Sequence, residues 1–211
     1  MVFDKSGMLF VLSSPSGAGK TTLTKLLAKK NLNFTISISY TTRQPRVNEK
    51  NGKDYCFVDR TKFEDLINNN CFFEYASIFG NYYGTHKENV LKHVYSGKDV
   101  LFDIDWQGAK QLKQKATGLK LVTFFILPPN VETLKKRLVN RDQDGKQLAA
   151  ERMKKFKDEV SHWKEYDYVL INENLDLCYQ QIYSIIESEK SGKKYEYDKE
   201  KIKKVAEKLI N

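Results

Sequence analysis

The residues best suited to chemistry stand together near the start of the chain. They are Ser14-Pro15-Ser16-Gly17-Ala18-Gly19-Lys20-Thr21-Thr22, directly after the apolar run Met8-Leu9-Phe10-Val11-Leu12. A buried strand feeding a glycine turn, with Lys-Thr opening a helix, is the layout that wraps a phosphate chain in backbone N–H groups. The positive end of the following helix adds to the attraction. In that layout Lys20 reaches the β and γ phosphates and the Thr21 hydroxyl ligates Mg²⁺. Ser14 occupies the position where the pattern G-x-x-x-x-G-K-[ST] has its first glycine. A plain strand-turn-helix corner would also use Gly17 and Gly19 for positive φ. The preceding strand and the helical spacing of Leu23, Leu26 and Leu27 favour phosphate binding.

A second constellation follows in Ser39-Tyr40-Thr41-Thr42-Arg43-Gln44-Pro45-Arg46. Two arginines three apart face opposite ways on a straight strand. Pro45 restrains itself and Gln44, so a bend there turns both guanidinium groups to one side. Arginine is the residue of choice for bidentate phosphate recognition, so this stretch reads as a second phosphate site.

The chain that positions these groups has 211 residues, enough for a sizeable core. Its hydrophobic content of 40% and charged content of 30% are those of a globular domain. No apolar run approaches the roughly 18 residues of a membrane span, and Met1–Ser6 lacks a signal-peptide layout. Cys56, Cys71 and Cys178 form neither a disulfide framework nor a zinc pattern, and His86, His93 and His162 form no ligand cluster. A cytoplasmic protein is expected. The net charge of +9 fits a nucleic acid or an anionic small molecule, and charge alone does not decide between them.

Strand-like runs (Met8–Ser13, Asp99–Ile104, Leu121–Leu127, Tyr168–Ile171) alternate with helical patterns (Thr21–Lys29, from about Gln107, Val131–Asn140, Leu175–Glu189). This alternation predicts an α/β core with a parallel sheet flanked by helices. The segment Phe34–Tyr83 breaks the rhythm with short runs and one helix, which Thr61-Lys62-Phe63-Glu64 is predicted to open as a capping box. It reads as a small mixed α/β insertion. Arg141–Glu165 is a charged insertion with one long helix, and the tail beyond Glu187 has a weak helical pattern at Ile202, Val205, Leu209 and Ile210. Trp106 and Trp163 read as packing.

In their order, Ser37–Arg46, Glu49–Val58, Phe73-Glu74-Tyr75-Ala76, Gly80–Thr85 and Asp103-Ile104-Asp105-Trp106-Gln107-Gly108 resemble the nucleotide-binding signature of guanylate kinases. The resemblance implies a P-loop kinase core (8–33, 86–140 and 166–187), a GMP-binding insertion (34–85) and a lid (141–165), with 188–211 a charged tail outside it. It implies an ATP site at Ser14, Pro15, Ser16, Gly17, Ala18, Gly19, Lys20, Thr21, Thr22 and Asn172. Arg43, Arg46, Tyr55 and Tyr83 are implied to hold the GMP phosphate. Ser39, Glu74 and Thr85, with Asp105 nearby, are implied to read guanine. Thr21 and Asp103 fall at the Mg²⁺ positions, Asp103 acting through water. Lys20, Arg43 and the lid arginines Arg137, Arg141 and Arg152 are the implied catalytic set. Ser14 and Asn48 stand where the family favours glycine, and Gln143–Ala150 departs from the family lid.

The chemistry agrees. A carboxylate such as Glu74 accepts from guanine N1–H and N2–H, while adenine N1 presents a lone pair to the same group. The attacking phosphate oxygen is already ionised, so the site needs alignment and charge neutralisation rather than a general base. The expected reaction is phosphoryl transfer from ATP to GMP, and to dGMP, with Arg137 and Arg141 entering the site once both nucleotides are bound. Neither nucleic acid nor membrane is an expected partner. A kinase of another nucleotide, a non-catalytic guanylate-kinase-like module that binds a phosphorylated partner and a nucleic-acid-binding ATPase are the alternatives.

Overall fold

The computed structural model describes residues 6–78, 80–139, 145–193 and 195–210. In chain order, β1 (Leu9–Ser13) leads to α1 (Lys20–Lys30), then β2 (Phe34–Ile36), β3 (Tyr40–Thr41) and β4 (Cys56–Phe57). Next come α2 (Arg60–Asn68), the strands β5 (Phe72–Ile78) and β6 (Asn81–His86), α3 (Lys87–Tyr95), β7 (Asp99–Asp103) and α4 (Trp106–Lys115). The chain continues through β8 (Leu121–Leu127), α5 (Val131–Val139), α6 (Gly145–Ser161), β9 (Tyr168–Ile171), α7 (Leu175–Lys190) and α8 (Lys199–Ile210). The fold is α/β, with a central parallel sheet of order β2-β7-β1-β8-β9 flanked by helices, and a smaller sheet of order β4-β3-β6-β5.

The chain divides into two compact units, Met1–Val11 with Leu32–Val122, and Leu12–Asn31 with Thr123–Asn211. In the first, β2 runs parallel to β7 with Phe34 opposite Asp99. Buried Asp99 earns its place by bonding: it accepts from the Met8 amide at 2.9 Å and from Asn33 Nδ2 at 3.1 Å. In the smaller sheet β3 and β5 both pair antiparallel with β6. Helix α2 carries the buried Phe63 ring, which stacks on Phe72 and Tyr82 at centroid distances of 4.7 and 5.2 Å. The capping box expected at Thr61 is not used. Asp59 caps α2 by accepting from the Lys62 amide at 2.7 Å, and the helix starts at Arg60. An aspartate at this position can satisfy an orphan N–H directly, so the turn closes earlier.

In the second unit β8 runs parallel to β9, with Phe124 opposite Tyr168. Val122–Leu127 is buried throughout, which is why this strand reads as a continuous apolar run rather than an alternating one. Helix α7 buries Cys178, Ile182, Ile185 and Ile186 and packs on α1. The weak helical pattern of the tail corresponds to α8, which buries Ile202, Ala206 and Leu209.

Candidate nucleotide sites

In the second unit, β1 ends at Ser13 and the loop 14–19 turns into α1 at Lys20. Gly17 and Gly19 have φ of 89° and 101°. Those angles sit in the left-handed region that glycine enters without strain. Ser14 is not among the residues with positive φ, so a serine is accommodated where the general pattern has glycine. No side chain caps α1 at its Gly19 N-cap and no acidic residue sits in its first turn. The N-terminal end of this helix therefore carries no side chain of its own that would compete with an anion. Lys20 and Thr21 are the first two residues of this helix.

The loop is held from two sides. Asn172, which follows β9 and is buried, donates from Nδ2 to the Ala18 carbonyl at 2.8 Å, and its own amide donates to Leu127 O at 2.8 Å. A Cβ on Gly19 would lie 2.4 Å from Asn172 Nδ2, so loop and asparagine fit only with glycine there. Arg137 of α5 donates from Nη1 to Ala18 O and from Nη2 to Asn172 O, each at 3.4 Å. These contacts place the Arg137 side chain beside the 14–19 loop. Arg152, on α6, is buried. Arg141 lies outside the described residues.

In the first unit, the chain leaves β3 at Thr41 and turns through Arg43–Arg46. Both arginines meet one carboxylate. Arg43 Nη2 donates to Glu49 Oε1 and Oε2 at 2.9 Å each, Arg46 Nη1 lies 3.7 Å from Oε1, and the Arg46 amide donates to Oε2 at 2.8 Å. The Arg43 guanidinium also lies 5.4 Å from the Tyr55 ring centroid, and the Tyr55 and Tyr83 rings are 6.0 Å apart. Arg43, Arg46, Tyr55 and Tyr83 thus converge. Burial, then the charge of Asp103 and the neighbouring Tyr83, push the Tyr55 phenol well above the usual tyrosine range, with Arg43 opposing. The phenol stays neutral and able to donate.

On paired strands of the same sheet, Glu74 of β5 stands in register with Thr85 of β6. A bulge between Phe72 and Glu74 shifts the register, and Glu74 and Ala76 face inward while Tyr75 and Ser77 face out. Glu74 is 3% exposed and accepts from Thr85 Oγ1 at 2.6 Å. Ser39 lies immediately before β3, where its carbonyl accepts from the Cys56 amide at 2.9 Å. Asp105 caps α4, accepting from the Gly108 amide at 2.9 Å. That cap sets Gly108 against Glu74: a Cβ on Gly108 would sit 2.6 Å from Glu74 Oε2. Asp103 ends β7.

Three contributors escape a reading of the sequence alone. Glu49 binds both arginines. Gln111 of α4 donates to Tyr75 O at 2.7 Å and accepts from Tyr75 N at 3.2 Å, fixing α4 to β5. Glu159 of α6 accepts from the Ser16 amide at 3.0 Å. Glu49 had a signal, a carboxylate three residues after Arg46. The partners of Gln111 and Glu159 are too distant in sequence for any spacing to reveal them.

Among described residues no group of three or more His, Cys, Asp or Glu side chains could hold a metal ion, and no helix is long and apolar enough to cross a membrane. The family model described as guanylate kinase matches residues 6–189. The guanylate kinase of Rickettsia felis is 47% identical over 190 residues, covering 90% of this chain and 98% of that protein. That of Novosphingobium aromaticivorans is 45% identical over 186 residues, covering 88% and 84%. A crystal structure of guanylate kinase from Anaplasma phagocytophilum superposes with a TM-score of 0.71 at 37% identity, covering 88% of this chain and 87% of that one.

Proposed function

The chain belongs to the guanylate kinase family and transfers a phosphoryl group from ATP to GMP, and on that premise we propose which of its residues do so. The 14–22 loop and Asn172 take ATP, and Lys20 follows the transferring phosphoryl group. Arg43, Arg46, Tyr55 and Tyr83 hold the GMP phosphate. Glu74, with Ser39 and Thr85, reads the guanine edge, and Asp105 contributes through the α4 N-terminus that it caps. Arg137 and Arg152, with Arg141, neutralise charge in the transition state. Residues 34–85 form the GMP-binding part and 141–165 the lid that excludes water, which otherwise would intercept ATP.

The single observation that carries the base assignment is buried Glu74 with Thr85 on its Oε1, a rigid acceptor deep in the smaller sheet. A buried carboxylate is an acceptor suited to paired N–H donors. Guanine brings two such donors.

Thr21 and Asp103 are hard oxygen donors of the kind Mg²⁺ prefers. The absence of an all-protein cage among the described residues suits an ion held largely by phosphates and waters. When bound, it supplies charge neutralisation on the phosphates. This reading includes dGMP, since the assigned contacts go to base edge and phosphate. It also includes a cytoplasmic location, in keeping with free thiols at Cys56, Cys71 and Cys178.

The test is ADP release, with saturating ATP, across GMP, dGMP, AMP, CMP and UMP. Turnover with GMP and dGMP alone is expected, and comparable rates with AMP would refute the base assignment. Gly108→Ala gives a sharper probe. Its methyl group would intrude on Glu74 Oε2, so KM for GMP is expected to rise by about tenfold, the scale of a lost charged hydrogen bond. KM for ATP should not move. An unaltered KM for GMP would show that Glu74 is not at the base.

A further inference from the structure

The family match ends at residue 189, yet α8, at Lys199–Ile210, is a folded part of the second unit. The segment before it is anchored by rings: Tyr195 and Tyr197 pack against Tyr168 of β9 at centroid distances of 6.4 and 5.7 Å. Tyr197 donates to the Asp167 carbonyl at 3.4 Å, and Tyr168 donates to Glu189 at the end of α7. Asp198 caps α8 by accepting from the Lys201 amide at 2.8 Å. Ile202, Ala206 and Leu209 lie on one helical stripe and are buried. The helix packs on α6 and on β9.

Helix α6 is the element that needs support. It buries Arg152, Phe156 and Val160, one residue per turn, and it packs on α5 and α8. Through Glu159 it holds the Ser16 amide of the phosphate loop at 3.0 Å. A helix of this length owes its stability to the faces it packs, not to its own propensity. A chain of contacts therefore runs from α8 through α6 to Glu159 and the loop.

We propose that α8 is a positioning element for the ATP side: by packing on α6 it fixes Glu159 on the Ser16 amide and Arg152 near its place of action. The enzyme thus draws part of its ATP-site geometry from a segment outside the family region. This rests on the reading of the 14–22 loop as the ATP site.

The test uses the full-length chain carrying Ile202→Asp with Leu209→Asp, which places charge on the buried stripe. Release of α8 is read by trypsin cleavage at its lysines. Two measurements follow. The first is hydrogen exchange of the Ser16 amide in the ligand-free protein, expected to speed up. The second is kcat/KM for each nucleotide. The ATP value is expected to fall by about ten- to a hundredfold, the scale for misplacing a site by an ångström from afar. The GMP value at saturating ATP should retain its KM.

Glu159→Ala leaves α8 docked and removes the acceptor of the Ser16 amide, cutting the relay at its far end. It should reproduce the ATP defect, and the combined variant should be no worse than either parent. This arm holds even if the double aspartate variant does not fold. A released α8 with unchanged Ser16 exchange, or a normal ATP KM in Glu159→Ala, would overturn the brace. Faster exchange accompanied by a defect in GMP KM instead would leave the brace standing and refute the assignment of ATP to the loop.

Discussion

Lys20→Ala lowers kcat by about 10²-fold or more, the loss that follows removal of one preorganised electrostatic contact to a transition state. The structural grounds are direct. Lys20 is the first residue of α1, and the helix N-terminus there has no side-chain cap and no acid of its own. As the bond to ADP breaks, its electron pair leaves with the ADP oxygen, and the ammonium group neutralises the negative charge that builds there and on the phosphoryl oxygens. The backbone N–H groups stay in place, so the variant still binds ATP, more weakly. KM for GMP is unchanged because Arg43, Arg46, Tyr55 and Tyr83 belong to the other unit. Steady-state kinetics with each nucleotide varied in turn decides it. A variant with near-normal turnover would mean that the loop is a structural corner.

Glu74→Gln separates recognition from catalysis. The carboxylate accepts from Thr85 on one oxygen and packs against Gly108 on the other. If the amide oxygen of glutamine keeps the Thr85 bond, its NH₂ replaces an acceptor with a donor. Guanine N1–H and N2–H then meet a donor, whereas adenine N1 meets a partner. GMP use should fall by roughly 1.5–3 kcal/mol, the value of a hydrogen bond to a charged group. That is about ten- to a hundredfold in kcat/KM. Use of AMP should rise. Sites that bond a polar edge reject analogues lacking it by factors of around 10⁴, so even a partial loss is measurable. The readout is the ratio of kcat/KM for GMP to that for AMP in both proteins. An unchanged ratio would remove the main physical support for guanine recognition by this carboxylate.

How much of this was legible in the sequence depended on where the information sat. β8 and β9 coincide with the runs Leu121–Leu127 and Tyr168–Ile171 because strands buried on both faces leave an uninterrupted apolar signature. The strand-turn-helix corner at 14–20 was legible because strand, glycines and Lys-Thr are contiguous. The convergence of Arg43 and Arg46 was legible through Pro45, but not the carboxylate that holds both. The start of α2 was misplaced because Asp59 and Thr61 are both competent caps, and only the backbone reveals that Asp59 reaches Lys62 N. In α8 the pattern was weak because Ala206, fully buried, contributes little hydrophobic signal, while Val205 is only half-buried. The bond from Ser16 to Glu159 spans 143 residues and follows from tertiary packing alone.

The tie between Gln111 and Tyr75 matters for more than the position of Gly108. β5, seven residues long, is an edge of the four-stranded sheet, whereas the opposite edge, β4, has only two residues. A long open edge offers unpaired N–H and C=O groups to any extended chain that meets it, including another copy of this one. The Gln111 side chain answers both backbone groups of Tyr75, as a neighbouring strand would, and α4 covers the rim beside it. The same side chain that ties α4 to β5 thus acts as a guard against strand addition and fibrillar self-association.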